Sequence, residues 1–223
     1  WTNAGTDGLP ELLSARYIVS AVEQPDDTYI STFTNDNGQE MYYYENERAL
    51  PIGFAYDTYM TKSQFEQIDP QLRAMVMLTT LVIDDADVEQ VSSCLNEYTY
   101  EEYGGISLDR LDEVLDARRK ESSESFTQEK NYFISEIRTS GDRYAFFSVP
   151  YDECWRATVN GESREVININ GLMAVRIDAG DNTIRFDYVY TPLKQGIVCS
   201  IAGVLLFAGY MIYFSKKKKQ PLR

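Results

Sequence analysis

The longest apolar run of the chain lies near its C-terminus, where no residue from Gly196 to Phe214 carries a charge. A bilayer core about 30 Å thick is crossed by a helix of roughly 20 mainly apolar residues, which is the length of this run. A buried core helix is usually amphipathic, whereas this segment is apolar around its whole circumference. Tyr210 and Tyr213 lie near one end, where aromatic rings suit the headgroup zone. The pattern predicts a transmembrane helix over residues 196–214.

Two upstream segments have apolar residues at helical spacing. In the first, Leu72, Met75 and Val76 share a face, and Asp69 followed by Pro70 is typical of an N-cap and a first helical residue. The second carries an apolar stripe at i, i+3, i+6 and i+7: Leu108, Leu111, Val114 and Leu115. The polar run that follows, residues 121–129, predicts a loop or linker.

The stretch from residue 130 to 192 alternates between apolar and polar residues with the period of two that strands require. Asn160-Gly161 and Asn170-Gly171 are signals for two-residue hairpin turns, because both central positions of a type I′ turn need a positive φ. The alternation predicts an antiparallel β-sandwich, with these residues in its core: Phe147, Trp155, Val175, Ile184 and Phe186.

The N-terminal half shows weaker strand signals. The stretches TYISTFTND and QEMYYYEN flank the turn residues Asn35–Gly38 and predict a hairpin. The stretch ALPIGFAYD, with Pro51 and Gly53, suits an edge strand or an irregular extended segment. The fold class is therefore α+β: an extracytoplasmic domain with a C-terminal antiparallel β-sandwich, followed by one transmembrane helix. We expect a mixed α/β outer region at 1–129, the sandwich at 130–192, the span at 196–214 and a basic cytoplasmic tail at 215–223.

Four lysines follow the apolar run directly: Lys216, Lys217, Lys218 and Lys219. Basic residues that flank a span stay on the cytoplasmic side of a membrane. We therefore expect a cytoplasmic C-terminus and residues 1–195 on the outer side of the membrane. The chain begins at Trp1, and we expect sequence upstream of it, because an outer domain has to be exported.

Charge and composition exclude several classes of function. All 35 Asp and Glu residues but only 16 of the 21 Lys and Arg residues precede residue 196, so the outer part has a formal charge of −19. Such a charge repels phosphates and argues against nucleic acid as a partner. The chain has no His, which removes the usual general base and zinc ligand. The residues therefore assign no catalytic set, no cofactor-binding or metal site and no cofactor, and the binding surface stays unknown.

Three smaller features have competing interpretations. Cys94 and Cys154 could form a disulfide in an oxidising exterior, or be two buried thiols, which we favour. The acidic stretch Asp84-Asp85-Ala86-Asp87 contains a D-x-D that could hold a cation, but a solvated turn is the better interpretation in so acidic a chain. Tyr42-Tyr43-Tyr44 could stack on sugars, but since alternate residues of a strand face opposite ways, at least one should pack inward, and core packing is favoured.

Several stretches, in order, resemble the C-terminal part of the bacterial YfhO family: ELLSARYIVS, YYYENERALPIGFAY, FFSVPYDECWRATVNGE and GLMAVRIDAGDNTIRFDYVYTP. The most specific are ENERALPIGF, residues 45–54, and VPYDECWRATVNGE, residues 149–162. These proteins are large, multi-spanning and similar to GT-C glycosyltransferases. One departure is Cys154, which stands where we expect a glycine.

The resemblance implies a function that the residues alone do not. It makes the chain the outer C-terminal domain and last span of a polyprenyl-phosphate-sugar-dependent glycosyltransferase, accessory to catalysis on a cell-envelope polymer such as lipoteichoic acid. The implied partners are the lipid bilayer, an upstream transmembrane body of the same protein and an envelope glycan or teichoic acid. A polyanionic polymer would need cationic substituents, or a basic patch such as Arg118-Arg119-Lys120, to approach this domain.

The alternative is a membrane-anchored glycan-binding or structural module with no catalytic role. The family resembles enzymes, but the catalytic acid of GT-C proteins usually lies in an early extracytoplasmic loop near the first spans. This chain has no such loop, so no catalytic residue is carried over. Whether the chain takes part in an enzyme stays open at this point.

Overall fold

The computed structural model describes residues 8–24, 27–99 and 105–218. It divides into two compact units, Trp1–Asp187 and Tyr188–Arg223, and each is described by itself. The α-helices of the described chain are α1 Leu9–Leu12, α2 Lys62–Phe65, α3 Arg73–Thr79, α4 Val88–Val91, α5 Leu111–Lys120 and α6 Thr191–Lys218. Short 3₁₀ turns cover Pro70–Leu72, Asp85–Asp87 and Leu108–Arg110.

The first unit is rich in strands. In chain order they are β1 Tyr17–Ser20, β2 Thr28–Thr34, β3 Glu40–Glu45, β4 Phe54–Tyr56, β5 Thr58–Thr61, β6 Leu81–Ile83, β7 Asn96–Glu97, β8 Ser123–Gln128, β9 Tyr132–Thr139, β10 Arg143–Pro150, β11 Trp155–Val159, β12 Glu162–Arg164, β13 Val166–Ile169, β14 Leu172–Ile177 and β15 Gly180–Tyr188. The combination of helices with mainly antiparallel sheets confirms the α+β class.

Two antiparallel sheets face each other in the C-terminal half. One has the order β13-β14-β10-β4 and the other β12-β11-β15-β9-β8. Between them the rings of Phe133 and Phe147 lie 5.5 Å apart, and that of Phe186 lies 4.7 Å and 5.0 Å from these two. The shared core of the two sheets also contains Val175 and Ile184, both fully buried, as the alternation predicted. This is the expected sandwich.

Trp155 is half-buried rather than fully enclosed, and it packs against this core. Its ring contacts those of Phe133 and Phe186 edge-on, at 5.5 Å and 6.3 Å. Ala157 and Val159, which follow on the same face of β11, are 2% and 1% exposed. The predicted face is therefore right, and Trp155 closes one end of the core.

The sequence prediction was wrong about the polar run at 121–129, which contains strand β8 rather than a loop. β8 is the edge of its sheet and needs only one partner, β9, for its backbone hydrogen bonds. One apolar side chain is enough to hold it there, since the Phe126 ring packs 5.3 Å from that of Phe133. The sandwich also takes β4 from the N-terminal half, where it is an edge strand, the first of the two alternatives that the sequence left open.

The four-stranded sheet is buried on both faces. Tyr56, Phe146 and Ala174 point away from the sandwich core and join a second core with Leu78 of α3 and Leu115 of α5. A parallel sheet of order β6-β5-β7 lies in this helical layer. The segment predicted as the first helix contains three short elements instead of one continuous helix. They are α2, the 3₁₀ turn capped by the Asp69 carboxylate, and α3.

The predicted hairpin turns adopt the required backbone. The φ angles are 53° and 86° at Asn160 and Gly161, and 50° and 88° at Asn170 and Gly171. Positive values at both central positions are those of a type I′ turn, which matches the twist of the flanking strands.

The second unit consists mainly of α6, which runs without interruption through the predicted span. By length and composition, Gly196–Phe214 can cross a membrane, and none of this apolar segment is buried within the structure. Such a surface needs lipid or other apolar helices around it. Lys216 to Lys218 fall in the last turns of α6, and Lys219 lies outside the described residues.

The structure contains no disulfide between Cys94 and Cys154; both are half-buried thiols. Burial raises the pKa of the Cys94 thiol above its ordinary value, so that thiolate chemistry is disfavoured there. The structure therefore has two separate thiols, as favoured from the sequence, but both are only partly buried.

Candidate functional site

A cleft of about 460 Å³ on the N-terminal three-stranded sheet, of order β1-β3-β2, is the strongest candidate site. Its lining residues are Glu23, Gln24, Asp27, Tyr29, Thr32, Tyr42 and Tyr44, and we call it the tyrosine cleft. Its volume lies in the range of small-molecule sites.

Strand register builds the aromatic walls. Tyr42 and Tyr44 are two residues apart on β3 and therefore share a face. The antiparallel pairing of β2 with β3 places Tyr29 opposite Tyr44 and Thr32 opposite Tyr42. The Tyr42 and Tyr44 rings stack with centroids 6.3 Å apart, and the Tyr29 ring meets Tyr44 edge-on at 6.0 Å. The cleft thus presents rings in two orientations.

The three rings differ in exposure, and this decides their roles. Tyr44 is only 3% exposed, and its hydroxyl accepts a hydrogen bond from the Gln24 backbone N–H at 3.0 Å. Tyr29 is 56% exposed, and Tyr42 is half-buried. Tyr44 therefore forms a fixed floor, and Tyr29 and Tyr42 supply the ring faces that a ligand can reach. The prediction that at least one residue of Tyr42–Tyr44 packs inward is confirmed.

Carboxylates give the cleft a negative potential. The charge of Glu40, with loss of solvation and the charge of Glu23, raises the pKa of the Tyr42 hydroxyl, which therefore stays neutral at physiological pH. Glu23 and Asp27 line the cleft itself. Among the described residues of the lining, none is Lys or Arg.

This combination of groups suits a carbohydrate. Aromatic rings offer flat apolar area to the apolar face of a sugar, and they do so with little loss of conformational entropy. The Gln24 amide, the Thr32 hydroxyl and the carboxylates of Glu23 and Asp27 can bond to sugar hydroxyls. Sequence reasoning missed Tyr29, because only the hairpin register brings it to Tyr44. It also missed Glu23 and Asp27, which lie between β1 and β2 and reach the cleft only through the folded sheet.

A second, smaller cavity of about 190 Å³ lies among α3, α5 and β5. Its charges are already paired within the protein. The Arg110 Nε lies 2.9 Å from Glu113, and the Arg118 guanidinium lies 3.3 Å from Asp57. Pairing with Arg110 lowers the pKa of Glu113. A cavity of this size with neutralised charges offers less to a ligand than the tyrosine cleft does.

Only part of the basic run Arg118-Arg119-Lys120 faces solvent: Arg119 and Lys120 are exposed, whereas Arg118 is turned inward. The Arg118 side chain is only 11% exposed. Its guanidinium donates to the carbonyls of Ala55 and Thr79 at 2.6 Å and 3.1 Å, and it lies 4.6 Å from the Tyr56 ring centroid. Arg119 pairs with Asp116 at 3.1 Å. Arg118 lies on the same face of α5 as Leu111 and Leu115, so helical periodicity turns it inward.

The acidic stretch at Asp84–Asp87 makes contacts typical of a surface turn. Asp84 lies 3.5 Å from the Lys62 ammonium, and the Asp85 carboxylate accepts from the Ser63 hydroxyl at 3.0 Å. Within the described part of the chain, no group of three or more His, Cys, Asp or Glu residues could hold a metal ion.

The stretch ENERALPIGF, residues 45–54, joins the sheet of order β1-β3-β2 to the sandwich. Asn46 is 2% exposed and donates to the Ala15 carbonyl and the Glu11 carboxylate. Glu45 pairs with Arg16 at 2.9 Å on the surface. At the other end, Gly53 has a φ of 103° and lies against the Phe147 ring. The residues that carry the resemblance in this stretch therefore make contacts that hold the fold together.

Comparison with known proteins agrees with the sequence resemblance over part of the chain. A family model described as "Bacterial membrane protein YfhO" matches residues 104–200. The match includes VPYDECWRATVNGE and ends inside α6, whereas ENERALPIGF lies before it. No curated protein and no solved structure matches the chain. The match over the sandwich and the start of α6 is that expected of a member of the YfhO family of bacterial membrane proteins.

Proposed function

We propose that residues 1–195 form an extracytoplasmic accessory domain of a YfhO family glycosyltransferase, and that α6 is the last span of that protein. The sugar donor is a polyprenyl-phosphate sugar, and the acceptor is a cell-envelope polymer of the lipoteichoic acid kind. The chemistry takes place in an upstream transmembrane body of the same protein. The domain binds the acceptor polymer and holds it near that body.

The tyrosine cleft is the observation that carries this proposal. It combines two accessible aromatic faces, Tyr29 and Tyr42, with amide, hydroxyl and carboxylate groups in a sugar-sized space. Holding an acceptor in place converts a bimolecular encounter into an effectively intramolecular one, so that a domain without catalytic residues still raises the rate of transfer.

The proposed topology places the sheets outside and the C-terminus inside. Its support is the run Lys216–Lys219 next to the candidate span Gly196–Phe214. Lysines beside a span are retained on the cytoplasmic side. An outer location also suits the formal charge of −19 upstream of the span, since it keeps the domain soluble.

A second function is favoured by the same cleft. A membrane-anchored glycan binder needs the tyrosine cleft and α6 but no catalytic partner. The two proposals differ in one respect: only the accessory domain affects sugar transfer.

Deletion of residues 1–190 from the full-length protein, with α6 retained, separates the two. For an accessory domain, sugar incorporation into the envelope polymer falls by about tenfold or more, because the acceptor is no longer positioned. Membrane level and protease pattern of the upstream body serve as the control for insertion. Undiminished transfer with normal insertion would overturn the accessory role and leave the independent binder.

A further inference from the structure

The charge of the tyrosine cleft restricts its ligand more than its shape does. Glu23 and Asp27 line the cleft. Glu40 lies two residues before Tyr42 on β3, and its charge is the largest contribution to the raised pKa of the Tyr42 hydroxyl. No basic side chain occurs among the described residues of the lining. A neutral sugar needs no such excess of negative charge, and an anionic ligand would be repelled by it.

The rings strengthen the preference for a cation. The face of a tyrosine ring carries negative electrostatic potential and attracts an ammonium group, and cages of several aromatic rings bind such groups in other proteins. Tyr42 lies nearly parallel to the floor ring of Tyr44, at 25°, whereas Tyr29 is inclined to Tyr44 by 71°. An ammonium group in the cleft therefore meets ring faces from different directions, with carboxylates beside them.

We infer that the tyrosine cleft recognises an ammonium-bearing glycan, meaning a polymer whose sugars or ester substituents carry a free protonated amine. This inference rests on the proposed function for the site and names the chemical class of its ligand. The apolar sugar ring stacks on Tyr29 or Tyr42, and the ammonium group lies between the rings and the carboxylates of Glu23 and Asp27.

The inference also reconciles the charge of the domain with its proposed partner. An outer part with a formal charge of −19 would repel a polyphosphate chain. Ammonium substituents on the polymer provide local positive charge where the acidic cleft can bind it. The domain would then select the amine-bearing parts of the polymer.

Two oligosaccharides of equal length test the inference directly. A β-1,4-linked glucosamine hexamer carries free amines, and its fully N-acetylated form carries neutral acetamides instead. We expect the full chain, in detergent micelles and mildly acidic buffer, to bind the amine form about tenfold more tightly by calorimetry, a difference within the range of desolvated cation–aromatic and charge contacts.

Three sets of variants separate the cleft from general attraction by an acidic surface. Glu23→Gln with Asp27→Asn should remove the preference for the amine form, so that the two hexamers bind this variant with equal affinity. Tyr29→Ala with Tyr42→Ala should weaken both ligands. Glu129→Gln with Glu153→Gln changes the net charge equally at exposed positions elsewhere and should change neither.

Three other results would contradict the inference, and they differ in what they leave of the glycan-binding role. Equal affinity for the two hexamers, lost in the tyrosine variant, would overturn the ammonium inference and leave glycan binding in place. A preference for the amine form that Glu129→Gln with Glu153→Gln reduces as much as the cleft variant does would also overturn it, because the attraction would be nonspecific. No binding of either hexamer would contradict both the inference and the glycan-binding role of the cleft.

Discussion

Gly53 shows how one residue without a side chain determines the packing between two parts of the first unit. Its φ of 103° lies in a region that other residues seldom adopt, and a Cβ atom placed there would lie 2.7 Å from Cε1 of Phe147. Phe147 is fully buried in the sandwich core, so its ring cannot move aside without disturbing the rings of Phe133 and Phe186. Backbone conformation and core packing therefore both require glycine.

We predict that Gly53→Ala lowers the free energy of unfolding by about 2–4 kcal/mol, combining backbone strain with overpacking. Gly38→Ala is the matched control, because Gly38 also has a positive φ, 76°, but nothing lies within 4 Å of its added Cβ. It should cost only about 1–2 kcal/mol. Urea unfolding in detergent, followed by circular dichroism, measures both, and equal losses would contradict the packing argument.

At the scale of elements, Glu121 joins the C-terminal end of α5 to the turn between β9 and β10. Its carboxylate accepts from the Ser140 backbone N–H and hydroxyl at 2.9 Å and 2.7 Å, and from the Arg143 Nε at 3.1 Å. Burial raises its pKa, but the hydrogen bonds from Ser140 and Arg143 outweigh burial, so the pKa in the folded protein lies below the ordinary value of 4.5.

Because this pKa is lowered on folding, the carboxylate stabilises the fold fully above pH values near 4.5, and this stability is lost as the pH falls through the lower folded value. We predict that Glu121→Gln costs about 1–3 kcal/mol at neutral pH and progressively less in acid. Urea midpoints across acidic pH check this, with Glu129→Gln as an exposed control. A cost that is the same at every pH would contradict the assignment.

The span is the other element with a direct test. Val204 lies near the middle of Gly196–Phe214, and its side chain is 67% exposed in the structure. We predict that Val204→Lys raises the free energy of membrane insertion by about 2.5–3.5 kcal/mol, because a charge at the bilayer centre is poorly solvated.

Gly196→Lys, at the end of the span, should cost much less, since a lysine there can extend to the interface. Insertion into microsomes, scored with glycosylation acceptor sites on both sides, measures the two variants. Equal insertion of Val204→Lys and the unaltered chain would show that α6 does not cross the bilayer.

At the scale of the whole molecule, the sequence predicted those elements whose signal is local. The span needs only composition, the Asn-Gly turns need two residues with positive φ, and the face of β11 follows from alternation. Features that depend on distant partners were missed. β8 contains one apolar anchor, Phe126, whose partner Phe133 is seen only once β9 pairs with it.

The candidate site was missed for the same reason. Tyr42 and Tyr44 could be placed on one face from the sequence, but the cleft depends on Tyr29, which the hairpin register places opposite Tyr44. Arg118 was considered as surface charge because it stands in a basic run, whereas its position on the buried face of α5 turns it toward acceptors on β4 and α3. Registers and packing partners decide such cases, and they are not local properties.

The central claim is that the tyrosine cleft binds the acceptor of a YfhO family transferase, and sugar incorporation by a full-length protein carrying Tyr29→Ala with Tyr42→Ala tests it most directly. Both side chains reach solvent, so the substitutions should leave the fold and the membrane level unaffected. Tyr190 is an exposed tyrosine in the second unit, and Tyr190→Ala is the matched control, which should not change incorporation. We predict that incorporation at limiting acceptor falls by about tenfold, the loss expected when stacking contacts are removed. Incorporation equal to that of the unaltered protein, at equal membrane level, would contradict the account.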